Sequence, residues 1–127
     1  MTKKALLVDD AKVVRISLGR IMKSLGFEVL EAANGAVAQE QMQAYDDISV
    51  VLLDWNMPVM NGYDFLLGLR SDAKHITEPR VIIVTTETGM SSMLKALAAG
   101  ADEYIMKPFD KEMLMGKLDI VGIAYEK

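Results

Sequence analysis

The sequence predicts a single doubly wound α/β domain, a (βα)5 unit with a five-stranded parallel sheet between layers of helix. Short β-branched apolar runs alternate along the chain with segments of helical period. Three of these runs are nearly continuous apolar stretches without in/out alternation, which is how a strand buried on both faces of a parallel sheet reads. No Pro/Ser/Gly-rich linker, repeat or low-complexity tract divides the 127 residues, a length that suits one domain and one core.

The strand candidates are residues 5–8, 28–30, 50–53, 81–84 and 103–106. Between the first two, Val14, Leu18, Ile21, Met22 and Leu25 share one helical face, and Gly26 sits where a C-terminal cap belongs. Asn34 can cap a second, weaker helix running toward Tyr45. Gly62, Phe65, Leu66 and Leu69 mark a third helix; Met90, Met93, Leu94, Leu97 and Ala98 mark a fourth, again followed by a glycine, Gly100. Asp110 can cap the last, whose apolar face includes Leu114, Leu118 and Val121; Gly116 inside it costs about 1 kcal/mol relative to Ala. Right-handed crossovers then cover both faces of the sheet with helices.

Composition narrows the function classes. Half of the chain is hydrophobic (51%) and a quarter charged (25%), the balance of a compact soluble globule rather than a disordered chain. There is no cysteine, so no disulfide, thiolate metal site or thiol nucleophile is available, and a cytoplasmic setting fits. The apolar run after the N-terminus stops at Asp9, too short for a secretory signal, and no stretch reaches membrane-spanning length. A net charge of −4 and a pI near 4.9, with no basic patch, argue against nucleic-acid binding. Ten methionines read as adaptable core filling, with a Met-rich docking surface as the alternative.

In an open α/β sheet the site lies outside the carboxyl ends of the strands. The polar residues there are Asp9 and Asp10, Asp54, Thr85 and Thr86, and Lys107. If the first and third strands are neighbours, three carboxylates converge, and their repulsion amounts to several kcal/mol unless a cation or proton relieves it. Mg²⁺, a hard ion that takes oxygen ligands and keeps waters, suits such a cluster. Singly, each aspartate could form an Asx turn or cap the next helix; together with Lys107 and Thr85 the set points to a site. Lys107 neutralises the acidic group, and with Mg²⁺ it would cage three phosphoryl oxygens should a carboxylate become phosphorylated, with Thr85 adding a hydroxyl donor.

Asp9-Asp10, Asp54-Trp55-Asn56-Met57-Pro58 with Gly62, Thr85, and Lys107-Pro108-Phe109 stand in order after strands one, three, four and five. In this the chain resembles the receiver domains of two-component signalling, from about residue 4 to about residue 122, and within them the stand-alone chemotaxis regulators. The resemblance implies a flavodoxin-like fold, one receiver domain over residues 1–127 without an output domain, and phosphorylation of Asp54 by a histidine kinase. It implies Mg²⁺ held by Asp10, Asp54 and the backbone carbonyl of Asn56, with Asp9 acting through water. Lys107 would pair with the phosphoryl group, Thr85 would close onto it, and Tyr104 would report the state by turning inward or outward. Asn56, Thr86 and Glu87 would tune dephosphorylation, and the Lys107–Pro108 bond would be cis. The implied partners are the kinase, a downstream protein such as a flagellar motor switch component reached through helix four, strand five and helix five, and a phosphatase.

Trp55, the only Trp, reads as partly buried and a useful reporter, and His75, the sole His, as a solvated loop residue. Two other function classes compete with a switch. An aspartyl-phosphate phosphatase usually places a second Asp two residues after its nucleophile; here that residue is Asn56, and the chain is short for a capping domain. A nucleotide-binding module would need a G-x-G-x-x-G or G-x-x-x-x-G-K-[ST] after a strand, and neither occurs. Within the switch class, a phosphate sink or a pathway other than chemotaxis remains open.

Overall fold

A computed structural model describes residues 3–86 and 90–126, with Met90 described by its backbone alone. The elements run β1 (Lys4–Val8), α1 (Lys12–Ser24), β2 (Glu28–Ala32), α2 (Gly35–Ala44), β3 (Ile48–Leu53) and α3 (Gly62–Ser71). A 3₁₀ turn (Ala73–His75), β4 (Arg80–Thr85), α4 (Met90–Ala98), β5 (Glu103–Met106) and α5 (Lys111–Val121) follow. All strands pair in parallel in the order β2-β1-β3-β4-β5.

The central strands are apolar on both faces because both faces are covered. Leu6, Val8, Val51, Leu53, Val81 and Ile83 pack with α2, α3 and Ala96 of α4. Ala5, Leu7, Val50, Leu52, Ile82 and Val84 pack with α1 and α5 on the other side. β2 lies at the sheet edge, where Glu28 and Glu31 face solvent. Its apolar run is therefore interrupted, and the strand extends two residues beyond the apolar signal to Ala32.

Helix ends follow the polar side chains. Asn34 Oδ1 accepts from the Val37 amide at 2.9 Å and Asp110 Oδ1 from Met113 at 2.8 Å, as the sequence predicts. Asn61 caps α3 in the same way, accepting from Asp64 at 2.8 Å. Gly26 follows α1 at φ +90°, a left-handed conformation that costs glycine nothing. α5 forms despite Gly116 because Leu114, Leu118 and Val121 are buried.

α4 departs from the expectation. The residues that mark it in the sequence are not its buried side: Leu94 is 57% and Leu97 42% exposed, and Ala98 is exposed too. Ala96 alone is fully buried among the described side chains of the helix, and Met93 is half-buried. Helical period identifies an apolar stripe but not the direction it faces, and here much of the stripe faces outward. His75 also differs from a solvated loop residue, being half-buried in the 3₁₀ turn with Nδ1 3.2 Å from the Glu78 carbonyl. The Lys107–Pro108 bond is cis, as is Glu78–Pro79. Among the described residues, no helix is long and apolar enough to cross a membrane.

At the end of the sheet opposite the carboxyl edge, Arg70 ties three segments together. Its side chain is 10% exposed, and its guanidinium donates to the carbonyls of Gly100 (3.0 Å), His75 (3.1 Å) and Pro79 (2.9 Å) and to Asp102 (3.1 Å). Asp102 in turn accepts from the Val81 amide at 2.8 Å. Arg70→Met keeps the aliphatic stem but leaves these acceptors short of a donor. Urea unfolding should show a loss of about 2–3 kcal/mol, with a surface substitution such as Lys74→Met close to neutral.

Candidate functional site

The site is built by strand register. Val8 of β1 lies opposite Leu53 of β3, and the Asp54 amide continues the ladder by donating to the Val8 carbonyl at 2.8 Å. Asp9 and Asp54 therefore leave the sheet side by side at its carboxyl edge. This is where the connections diverge, from β1 outward to β2 and from β3 onward to β4, which opens a crevice. Carboxylate oxygens of Asp9, Asp10 and Asp54 all lie within 4.8 Å of one another. Asp9 is 1% and Asp54 7% exposed, whereas Asp10 faces solvent.

Lys107 supplies the opposing charge. Its amide donates to the Thr85 carbonyl at 2.9 Å, fixing where β5 releases it. The side chain then reaches past β4, placing Nζ 2.9 Å from Asp9 Oδ2 and 3.6 Å from Asp54 Oδ1. Backbone amides do the rest: Ala11 donates to Asp9 Oδ1 and Trp55 to Asp54 Oδ1, each at 2.9 Å. Arg15 Nη1 donates to the Asp9 carbonyl at 2.6 Å, while its Nε pairs with Glu31 at 3.0 Å.

The start of α3 lies directly on the Asp54 backbone. The Gly62 amide donates to the Trp55 carbonyl at 3.0 Å, and a Cβ on Gly62 would stand 2.3 Å from the Asp54 carbonyl oxygen. Only glycine fits there. The preceding loop holds Val59, 83% exposed, at φ +70°, a strained position for a β-branched side chain.

Burial first, and then the charge of Asp9, push the Asp54 carboxyl up to about 6 against the opposing pull of Lys107 and the Trp55 amide. Three carboxylates against one ammonium leave an excess of negative charge on an all-oxygen donor set, two of whose aspartates are buried. That donor set fits a hard divalent cation such as Mg²⁺.

The structure brings Asp9, Asp10, Asp54 and Lys107 together as the sequence predicts. Thr85 is buried at the end of β4, and Asn56 and Thr86 are exposed on the rim. Glu87 lies outside the described residues. Tyr104 is 6% exposed and belongs to the core cluster that holds Val81, Ile83 and Ala96, so it lies inward here rather than on the surface. Sequence reasoning missed the amides of Ala11 and Trp55 and the role of Arg15. Backbone donors carry no residue signature, although a glycine at Gly62, hard against the acceptor, signals a close approach.

These features define a receiver, and the chain belongs to the response regulator receiver domain family, whose model matches residues 5–119. Receivers are themselves a standard example of the switch-point rule used above. Among curated relatives, the chain is 42% identical to chemotaxis protein CheY1 of Helicobacter pylori over 119 residues, 93% of this chain and 95% of that one. It is 39% identical to the CheY homolog of Campylobacter jejuni over 121 residues, 94% of this chain and 92% of that one. Among solved structures, chemotaxis protein CheY4 of Vibrio cholerae superposes with a TM-score of 0.88 at 31% identity, covering 95% of this chain and 99% of that one.

The raised Asp54 pKa has a stability consequence. The folded state holds the proton more tightly than the unfolded chain, so stability falls as pH rises from about 4 to about 6 and stays lower above that. Asp54→Asn removes the buried charge. Without divalent metal it should gain about 1–2 kcal/mol at pH 7 in urea unfolding, after allowance for solvent screening, with the gain vanishing below about pH 4.

Proposed function

We propose that the chain is a phosphorylation switch of chemotaxis signalling in which Asp54 is the phosphoacceptor. The observation that carries this reading is a buried carboxylate set between two further aspartates and a lysine at the carboxyl edge of a receiver sheet. A carboxylate oxygen of Asp54 attacks the phosphorus of a histidine kinase's phosphohistidine. The new O–P bond forms as the P–N bond breaks, and the electron pair returns to the imidazole. Lys107 takes charge from the transferred group, and the Ala11 and Trp55 amides keep the two carboxylates in place. Asp10, Asp54 and the Asn56 carbonyl would hold Mg²⁺ directly and Asp9 through water. When bound, the ion neutralises phosphoryl oxygens during an in-line transfer.

Residues 1–127 act as one receiver unit that catalyses only its own phosphorylation and dephosphorylation, in the cytoplasm, with Asn56, Thr86 and Glu87 tuning the second. A phosphatase is a further partner. Chemotaxis is favoured over another two-component pathway because the similar proteins are chemotaxis proteins. The solvent-facing Leu94 and Leu97, which offer apolar area to a motor-type target, favour an output over a bare phosphate sink.

The switch works by population. A phosphoryl group adds up to two charges and three acceptor oxygens, and Thr85 is the hydroxyl that turns to meet it. Since the Tyr104 ring already fits inside the core, phosphorylation need only favour that placement, which takes a few kcal/mol.

Acetyl phosphate with Mg²⁺ should label Asp54 as an acyl phosphate that hydroxylamine removes. Asp54→Asn should abolish the label, and Lys107→Ala should impair it. Thr85→Ala should accept label yet lose most of the phosphorylation-dependent gain in affinity for the target. Stable label on a Ser or Thr would sink the acceptor assignment, and a full gain in Thr85→Ala would sink the Thr85 coupling.

A further inference from the structure

A chain of contacts runs from Asp54 to α4 through residues other than Thr85 and Tyr104. Asp54 Oδ1 accepts from the Trp55 amide at 2.9 Å, a direct bond between Trp55 and that carboxylate. The Trp55 indole is buried and meets the Tyr63 ring edge to face, with centroids 5.6 Å apart and planes at 71°. Tyr63 lies in the first turn of α3, next to the Gly62 whose amide is bound to the Trp55 carbonyl. Over the same Tyr63 ring stands Lys95 Nζ of α4, 4.2 Å from the centroid.

The contact weighs heavily because α4 is lightly anchored. Among its described side chains only Ala96 is fully buried, while Leu94, Lys95, Leu97 and Ala98 face solvent. A helix with so little buried area opens locally at small cost, and one directed contact then shifts its equilibrium measurably. The ends of the chain of contacts differ in kind: a hydrogen bond to the reacting carboxylate at one, a cation held on a ring at the other.

We infer that Trp55, Tyr63 and Lys95 form a relay that couples the state of Asp54 to the placement of α4. Resting on the assignment of Asp54 as phosphoacceptor, the relay adds a route that bypasses β4 and β5. Phosphoryl transfer converts the Asp54 carboxylate, an anionic acceptor for the Trp55 amide, into an acyl phosphate whose remaining carbonyl is a weaker one. The Trp55 backbone shifts with that bond, the indole carries the shift to Tyr63, and Lys95 follows the ring. Tyr63 and Lys95 are positioning residues that touch no reacting atom.

The test is hydrogen exchange of α4 amides in the full chain, with and without acetyl phosphate and Mg²⁺, where the phosphoryl passes to Asp54 and acetate leaves. In the wild type, labelling should change α4 exchange. In Lys95→Met the label on Asp54 should be undiminished, while the phosphorylation-dependent change shrinks at least about twofold, the factor a surface cation–π contact supports. Lys95→Arg, which keeps a cation over the ring, should restore it, a rescue that loss of a merely structural side chain would not show. Tyr63→Leu should produce the same loss, and Tyr63→Leu/Lys95→Met no greater one, since both remove a single contact. A full phosphorylation-dependent change in Lys95→Met, failure of Lys95→Arg to rescue, or additive losses in the double variant would overturn the relay. Absence of label in the wild type would instead overturn the acceptor assignment and the relay with it.

Discussion

The pairing of the Lys107 ammonium with Asp9 and Asp54 is the interaction on which the rest of the structure depends. Parallel strands β1 and β3 deliver two buried aspartates to the same edge, and Asp10 adds a third carboxylate within 4.8 Å. Like charges this close, shielded from water, repel strongly. Lys107 comes from two strands away and stands 2.9 Å from Asp9 and 3.6 Å from Asp54. One cation among three anions relieves the repulsion without cancelling it, and the residual negative charge on an all-oxygen donor set is one that a hard divalent ion would fit. The closer bond to Asp9 also leaves Asp54 the less satisfied of the two buried carboxylates, which agrees with its upward pKa.

The surroundings are arranged to keep that imbalance in place. The Trp55 and Ala11 amides fix one oxygen each of Asp54 and Asp9, and Arg15 holds the Asp9 carbonyl from α1. Gly62 lets α3 begin against the Asp54 backbone, closer than any side chain would allow. Far from this rim, Arg70 locks the opposite end of the sheet through four acceptors. Between a braced site and a braced base, α4 has Ala96 as its one fully buried side chain among those described, so little packing opposes its movement.

Much of the fold and of the site can be read from the sequence, for physical reasons that also explain the failures. Strands buried on both faces announce themselves as unbroken apolar runs, which is why β1, β3 and β4 are legible and edge strand β2 is cut short at Leu30. Asn34 and Asp110 cap helices through side-chain oxygens, a chemistry visible in residue type. α4 misleads because its apolar stripe is largely turned to solvent, and period alone carries no direction. The acidic cluster and Lys107 are visible because several charged residues follow buried strands that end at one edge of the sheet, a combination that turns and caps alone do not require. Invisible from sequence are contacts made by backbone amides, the inward placement of Tyr104, and the meeting of Trp55, Tyr63 and Lys95 from three separate elements.

The most direct measurement is the titration of the Asp54 carboxyl carbon by NMR as a function of pH, with and without Mg²⁺. Burial beside Asp9 predicts a midpoint about 6 in the metal-free protein. Saturating Mg²⁺ should lower it below about 4, because the bound cation favours the ionised form. A midpoint near the ordinary 3.8 without metal, or one that Mg²⁺ leaves unmoved, would contradict a site whose unbalanced negative charge is the source of its chemistry.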